Sequence, residues 1–107
     1  MKRMIRMLLV LAAGACLAGA MGFAQSGQVV YSKHCQMCHG ANGIPNPTMG
    51  RLLGVMSVND PAMKKLTPVE MFTAVKNGKG KMSAQKSQLT DAQIRDAIAY
   101  LRTFIKK

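Results

Sequence analysis

Cys35-Gln36-Met37-Cys38-His39 is the stretch on which the reading of this chain turns. Two cysteines three apart on a helical turn face the same side, and the histidine that follows is carried round beside them. C-x-x-C-H is the attachment signal of a c-type haem. Each thiol can form a thioether with a vinyl group of the porphyrin, and the imidazole can serve as proximal ligand to the iron. Other chemistries need surroundings that the sequence lacks. A thioredoxin-like redox pair calls for a βαβ context, and no alternating strand pattern occurs. A zinc site would have to draw four ligands from His34, Cys35, Cys38 and His39, unlike the split pairs zinc uses. A disulfide between Cys35 and Cys38 would close a trivially small loop. The motif occurs once, so one haem is expected.

The chain has 107 residues, natural for one domain. It is 49% hydrophobic, which argues against a disordered basic tail, yet aromatics are 5% and Trp is absent. The first residues read as a leader rather than as fold. Lys2, Arg3 and Arg6 form a positive start, and no charge follows from Met7 to Ala24. Its later part, Ala12 to Ala20, is mostly Ala and Gly, too weakly apolar for a convincing membrane span. Gly22 and Ala24 fit the small positions of a cleavage site and give a mature start at Gln25; Ala18 and Ala20 offer a second site. Retention as an anchor, or lipidation at Cys16, are the competing readings. The expected division is therefore residues 1–24 as a cleaved signal peptide and 25–107 as the working domain, in the periplasm.

Cleavage after Ala24 removes Cys16 and three of the fifteen basic residues but none of the four acidic ones, leaving a net charge of +8. So short a segment buries only about 60–65% of its unfolded surface and needs a covalent or cofactor support. The remainder reads as helices joined by loops. Gly27 to Cys38 forms a helix running into the motif. Gly40 to Asp60 is Gly- and Pro-rich loop, with a short turn near Arg51–Val55. Thr67-Pro68-Val69-Glu70 is an N-cap, a first-turn proline and an acidic first turn. It starts a helix with Met71, Phe72 and Val75 on its apolar face, ended by Asn77-Gly78. Thr90 and Gln93 make a capping box. The helix that follows carries Ile94, Ala97, Ile98, Leu101 and Ile105 at helical spacing.

This order of parts resembles the small class I, monohaem cytochromes c of bacteria, over essentially all of Gln25 to Lys107. The most specific matches are Cys35–His39, Gly80-Lys81-Met82-Ser83-Ala84 and Leu89–Phe104. The resemblance implies an all-α fold, with three main helices and loops wrapped around one covalently bound haem c. It also implies a close crossing of the first and last helices, through Gly27 and Tyr31 on one and Ala97 and Tyr100 on the other. It further implies that a proline carbonyl holds the second ring nitrogen of His39, with Pro45 and Pro47 both eligible. Ser83 departs from the family, where proline often follows the ligand methionine, and should leave that loop less rigid.

The second axial ligand follows from elimination among the residues. His34 shares a helical turn with the motif and cannot reach the opposite porphyrin face. Of the thioethers, Met37 lies inside the motif and Met71 on a helix face suited to the core. Met49, Met56 and Met63 sit in the Gly/Pro-rich segment, suited to covering a haem edge. Met82 stands in an otherwise polar loop with no evident duty in the core. Cys35 and Cys38 are thus the expected covalent attachment points, and His39 and Met82 the axial ligands. With both axial positions filled, no site is open to substrate, which favours one-electron transfer over enzymatic chemistry. The basic surface, including Lys33, Lys79, Lys81 and Lys86, suits redox partners with acidic docking patches. Export argues against nucleic acid. Membrane association is compatible but not required, and a monomer is expected. The alternatives are a haem subunit of a larger redox complex, or a ligand-binding or peroxidatic haem protein should Met82 be labile.

The leader reading has a direct test. Mass spectrometry of the exported protein should give a chain beginning at Gln25 and carrying one haem. A start at lipidated Cys16, or at Met1, would make the protein an anchored one.

Overall fold

A computed structural model describes residues 27–107; the expected leader and its cleavage site lie outside the described residues. Six helices follow in order: α1 (residues 27–34), α2 (Gln36–His39), α3 (Met49–Leu52), α4 (Pro61–Lys64), α5 (Pro68–Asn77) and α6 (Asp91–Arg102). No strand occurs among the described residues, and one bridge links Lys79 to Met82. The class is all-α, as the sequence implied.

Both long helices start as their residues dictate. Thr67 accepts the Glu70 backbone N–H at 3.1 Å while Glu70 accepts the Thr67 N–H at 3.2 Å. Thr90 and Gln93 repeat the exchange at 3.2 and 2.9 Å. Each reciprocal pair satisfies donors that a helix start leaves unbonded, and each Thr is worth about 1 kcal/mol. Gly78, at φ 83°, ends α5.

The core is small. Val30 and Tyr31 of α1, Met71 of α5, Leu89, and Ile94, Ala97 and Ile98 of α6 form one buried cluster, with Phe72, Val75, Tyr100 and Leu101 packed on it. The expected apolar faces of α5 and α6 are the ones turned inward. Arg102 of α6 donates to the Leu66 carbonyl at 3.1 Å, just ahead of α5, and to Met71 Sδ of α5 at 3.7 Å. Arg95 lies 4.8 Å from the centre of the Phe72 ring, a cation–π distance. Lys76 and Asp91 approach to 3.1 Å, but the pair is solvated and contributes little.

α1 crosses α6 where the resemblance implied. A Cβ on Gly27 would lie 2.5 Å from the Asp96 carbonyl oxygen, so the two backbones touch because that side chain is a hydrogen. Four residues on, the rings of Tyr31 and Tyr100 meet at 5.4 Å, and Tyr100 meets Phe104 edge-on at 5.2 Å.

Several boundaries differ from the expected ones. The first helix is interrupted at Cys35, where the chain turns before α2. The short helix of the loop is Met49–Leu52, two residues earlier than expected, because Asn46 Oδ1 accepts the N–H groups of Thr48 and Met49 at 2.8 and 3.1 Å and so sets its start. α4 adds a turn to a stretch read as connection: Asp60 accepts the Ala62 N–H, and Pro61 occupies the first position. α6 stops at Arg102, short of Ile105. There Asn59 takes over the chain end, accepting the Lys106 N–H at 2.7 Å and donating to the Phe104 carbonyl at 3.4 Å.

Gly27→Ala measures the crossing. Alanine is otherwise the better helix former, but forcing a methyl group into a backbone contact should cost about 1–3 kcal/mol, as overpacking does. A lowered urea midpoint of the holoprotein, with unchanged slope, is the expected result.

Candidate functional site

The Cys35–His39 segment is held by its own backbone. The Cys35 N–H donates to the Tyr31 carbonyl at 2.9 Å, His39 N–H to Cys35 at 3.0 Å, and Gly40 N–H to Gln36 at 2.9 Å. This hydrogen bonding carries Cys35, Cys38 and His39 through one helical turn, so the three expected site residues of the motif are brought together. Both cysteines are free thiols and half-buried, as is His39. Burial pushes the Cys35 thiol up to about 11. Burial also lowers the His39 imidazole, because a buried site disfavours the charged ring.

The loop after the motif folds back on it. Gly40 has φ 81°, and a Cβ there would run into the Ile44 carbonyl, so the reversal needs glycine. Asn46 N–H donates to the Cys38 carbonyl at 3.1 Å. Gly50 fits beneath: a Cβ would lie 2.6 Å from the Cys38 carbonyl oxygen and 2.8 Å from Pro45 Cβ. Pro45 is therefore half-buried beside the motif, while Pro47 is exposed. Gly50 and Asn46 were not singled out by spacing. The Asn-Pro-Thr sequence at 46–48 was the available sign, since Asn bonds to backbone two or three residues on.

Met82 belongs to another part of the chain, the loop after α5. There Lys79 and Met82 exchange N–H···O=C hydrogen bonds, both at 3.0 Å. The Gln85 N–H donates to Val75 at 2.9 Å and the Lys86 N–H to Lys76 at 3.3 Å, tying the loop back to α5. Ser83 was expected to leave this loop less rigid. The reciprocal Lys79–Met82 bonds and the Gln85–Val75 bond give it a restraint that needs no proline.

The residues fit a bulky, mostly apolar group. Large apolar side chains stand in solvent on and after the motif: Met37 is 72% exposed and Leu52 71%, with Ile44, Met49 and Met56 also exposed. On α5, Val69 is 73% exposed and borders an open cleft of about 360 Å³ that ends at Gly78 and Lys79, three residues short of Met82. Leaving so much apolar surface wet is unfavourable unless a ligand covers it.

An all-α chain that gathers two cysteines and a histidine on one turn has the architecture of a c-type cytochrome. The family model described as "Cytochrome C oxidase, cbb3-type, subunit III" matches residues 22–101. A protein from Nostoc sp. strain PCC 7120 named "Cytochrome c6-like" is 34% identical over 76 residues, covering 71% of this chain and 66% of that protein, so just under two thirds of its length. A solved structure described as "KustC0563 c-type cytochrome" superposes with TM-score 0.68 at 27% identity, over 75% of this chain and 98% of that one. The chain belongs to the class I cytochrome c family, whose cofactor is covalently attached haem c.

If Cys35 and Cys38 form the thioethers, Cys35→Ala and Cys38→Ala should each impair covalent haem incorporation, and the double variant should abolish it. Haem staining after denaturing electrophoresis reads this directly. Undiminished staining of the double variant would exclude attachment at these residues.

Proposed function

We propose that the protein is an exported one-electron carrier, not an enzyme, with His39 and Met82 as its axial ligands. The observation that carries this reading is the pairing of a half-buried His39 on the C-x-x-C-H turn with a lone half-buried methionine on a backbone-tied polar loop. Haem c, when bound, supplies a one-electron iron couple, and a His/Met pair raises its potential. Cys35 and Cys38 fix the group's position covalently. His39 donates its lone pair, and its second ring nitrogen needs an acceptor to hold the ring. Pro45, half-buried beside Cys38 and Gly50, is the better placed of the two prolines for that duty.

Lys33, Lys79, Lys81 and Lys86 are all exposed, and three of them lie on or next to the Met82 loop. Their field would speed encounter with an acidic patch on a redox partner and make that encounter salt-sensitive. Among the described residues no helix is long and apolar enough to cross a membrane. Periplasmic location rests on the reading of residues 1–24 as a leader. The description of the matching family model favours a second reading, in which the chain serves as the haem subunit of a larger oxidase complex.

Met82→Ala is the test. The variant should keep its haem and fold, lose the thioether–iron charge-transfer band of the ferric protein, bind added small ligands and show a lowered potential. Met49→Ala, Met56→Ala and Met63→Ala should keep the band. Loss of the band in one of these, with retention in Met82→Ala, would reassign the ligand.

A further inference from the structure

Tyr31 carries a hydroxyl that the apolar core does not require. Its ring is 1% exposed and packs on Tyr100, a duty phenylalanine would perform equally. The hydroxyl instead donates to the Gly40 carbonyl at 2.6 Å, across nine residues. Gly40 immediately follows His39. Its carbonyl is also approached by the Gly43 N–H at 3.4 Å, so Tyr31 grips the turn 40–43 at its inner corner. That turn has two positive-φ glycines, Gly40 at 81° and Gly43 at 77°, and it delivers the chain to Pro45. Backbone bonds from Asn46 to Cys38 and from Val58 to Gly43, at 3.1 and 2.9 Å, also tie this stretch, and Asn42 Oδ1 accepts the Ile44 N–H locally at 3.3 Å. Tyr31 supplies the side-chain tie from outside the loop, from the helix that leads into the motif.

We propose that Tyr31 is a positioning residue for the haem ligand His39: its hydroxyl holds the Gly40 turn and thereby the carbonyl that accepts the His39 ring N–H. The inference rests on His39 as proximal ligand and on Pro45 as its acceptor. An imidazole whose N–H is held by a carbonyl is more basic and a stronger donor to iron, which stabilises the ferric state. A slackened turn weakens that hydrogen bond. The ring then gives less charge to the metal, and the ferrous state gains.

The experiment compares the purified holoproteins of Tyr31→Phe, Tyr100→Phe and wild type. Tyr31→Phe should keep covalent haem and the charge-transfer band, show a raised midpoint potential, and exchange the His39 ring N–H with solvent faster by NMR of the ferrous protein. Tyr100→Phe removes the neighbouring hydroxyl, which makes no hydrogen bond to the turn, and should match wild type in both readouts. A Tyr31→Phe potential that is unchanged or lowered, or an unchanged N–H exchange rate, would overturn the proposal. An equal shift in Tyr100→Phe would also overturn it, since the effect would then be one of core polarity. Should Tyr31→Phe fail to retain haem, wild type carries the test: the His39 ring N–H should exchange in step with the Gly43 amide, and independent exchange would reject the link. Wild-type spectra lacking His/Met character would instead strike the axial assignment itself, a result separable from every one above.

Discussion

At one point the main chains of two helices meet without a side chain between them. Gly27 on α1 rests against the Asp96 carbonyl of α6, and a methyl group there would stand 2.5 Å from that oxygen. Everything downstream of Gly27 takes its place from this contact. One turn later Tyr31 packs its ring on Tyr100 and reaches the Gly40 carbonyl with its hydroxyl. Another turn brings Cys35, and the attachment turn follows. Were α1 displaced by the width of a methyl group, the Tyr31 hydroxyl would lose Gly40 and the loop under Gly50 would lose its register.

The second constraint is scarcity. Among the described residues eight apolar side chains are buried, and no polar or charged one. So small an interior contributes little beyond the entropy it must offset. The large apolar residues left in solvent around the motif complete this picture. Covalent haem would turn those residues from exposed surface into interior, so the fold and its cofactor are parts of one core. Covalent attachment suits such a chain because the link does not depend on the strength of that core.

The sequence carried most of this architecture because its strongest signals are local. Thr67, Pro68 and Glu70 announce α5, and Thr90 with Gln93 announces α6, each through hydrogen bonds made within four residues. The C-x-x-C-H spacing likewise encodes a single turn. What could not be read depended on distant partners. The end of α6 is set by Asn59, more than forty residues away, which no periodicity could report. The start of α3 is a local exception, set by Asn46 Oδ1 accepting the Thr48 and Met49 N–H groups within a run whose Gly and Pro mask the signal. The choice between Pro45 and Pro47 depended on where the chain folds back beneath Gly50. For Met82, elimination pointed to the residue, whereas the restraint on its loop came from backbone bonds that Ser83 gave no hint of.

The two capping boxes also bear on the order in which the molecule assembles. Each is complete within its own four residues, so α5 and α6 can begin in a chain whose ends are still far apart. α5 and α6 are separated by residues 78–90, and Arg95, Arg102 and Asp91 link them. The α1–α6 crossing joins Gly27 to Asp96 and closes a much longer loop, at greater entropic cost. Of the two closures, the α5–α6 hairpin therefore costs the lesser loop entropy, and the segment with the C-x-x-C-H turn the greater.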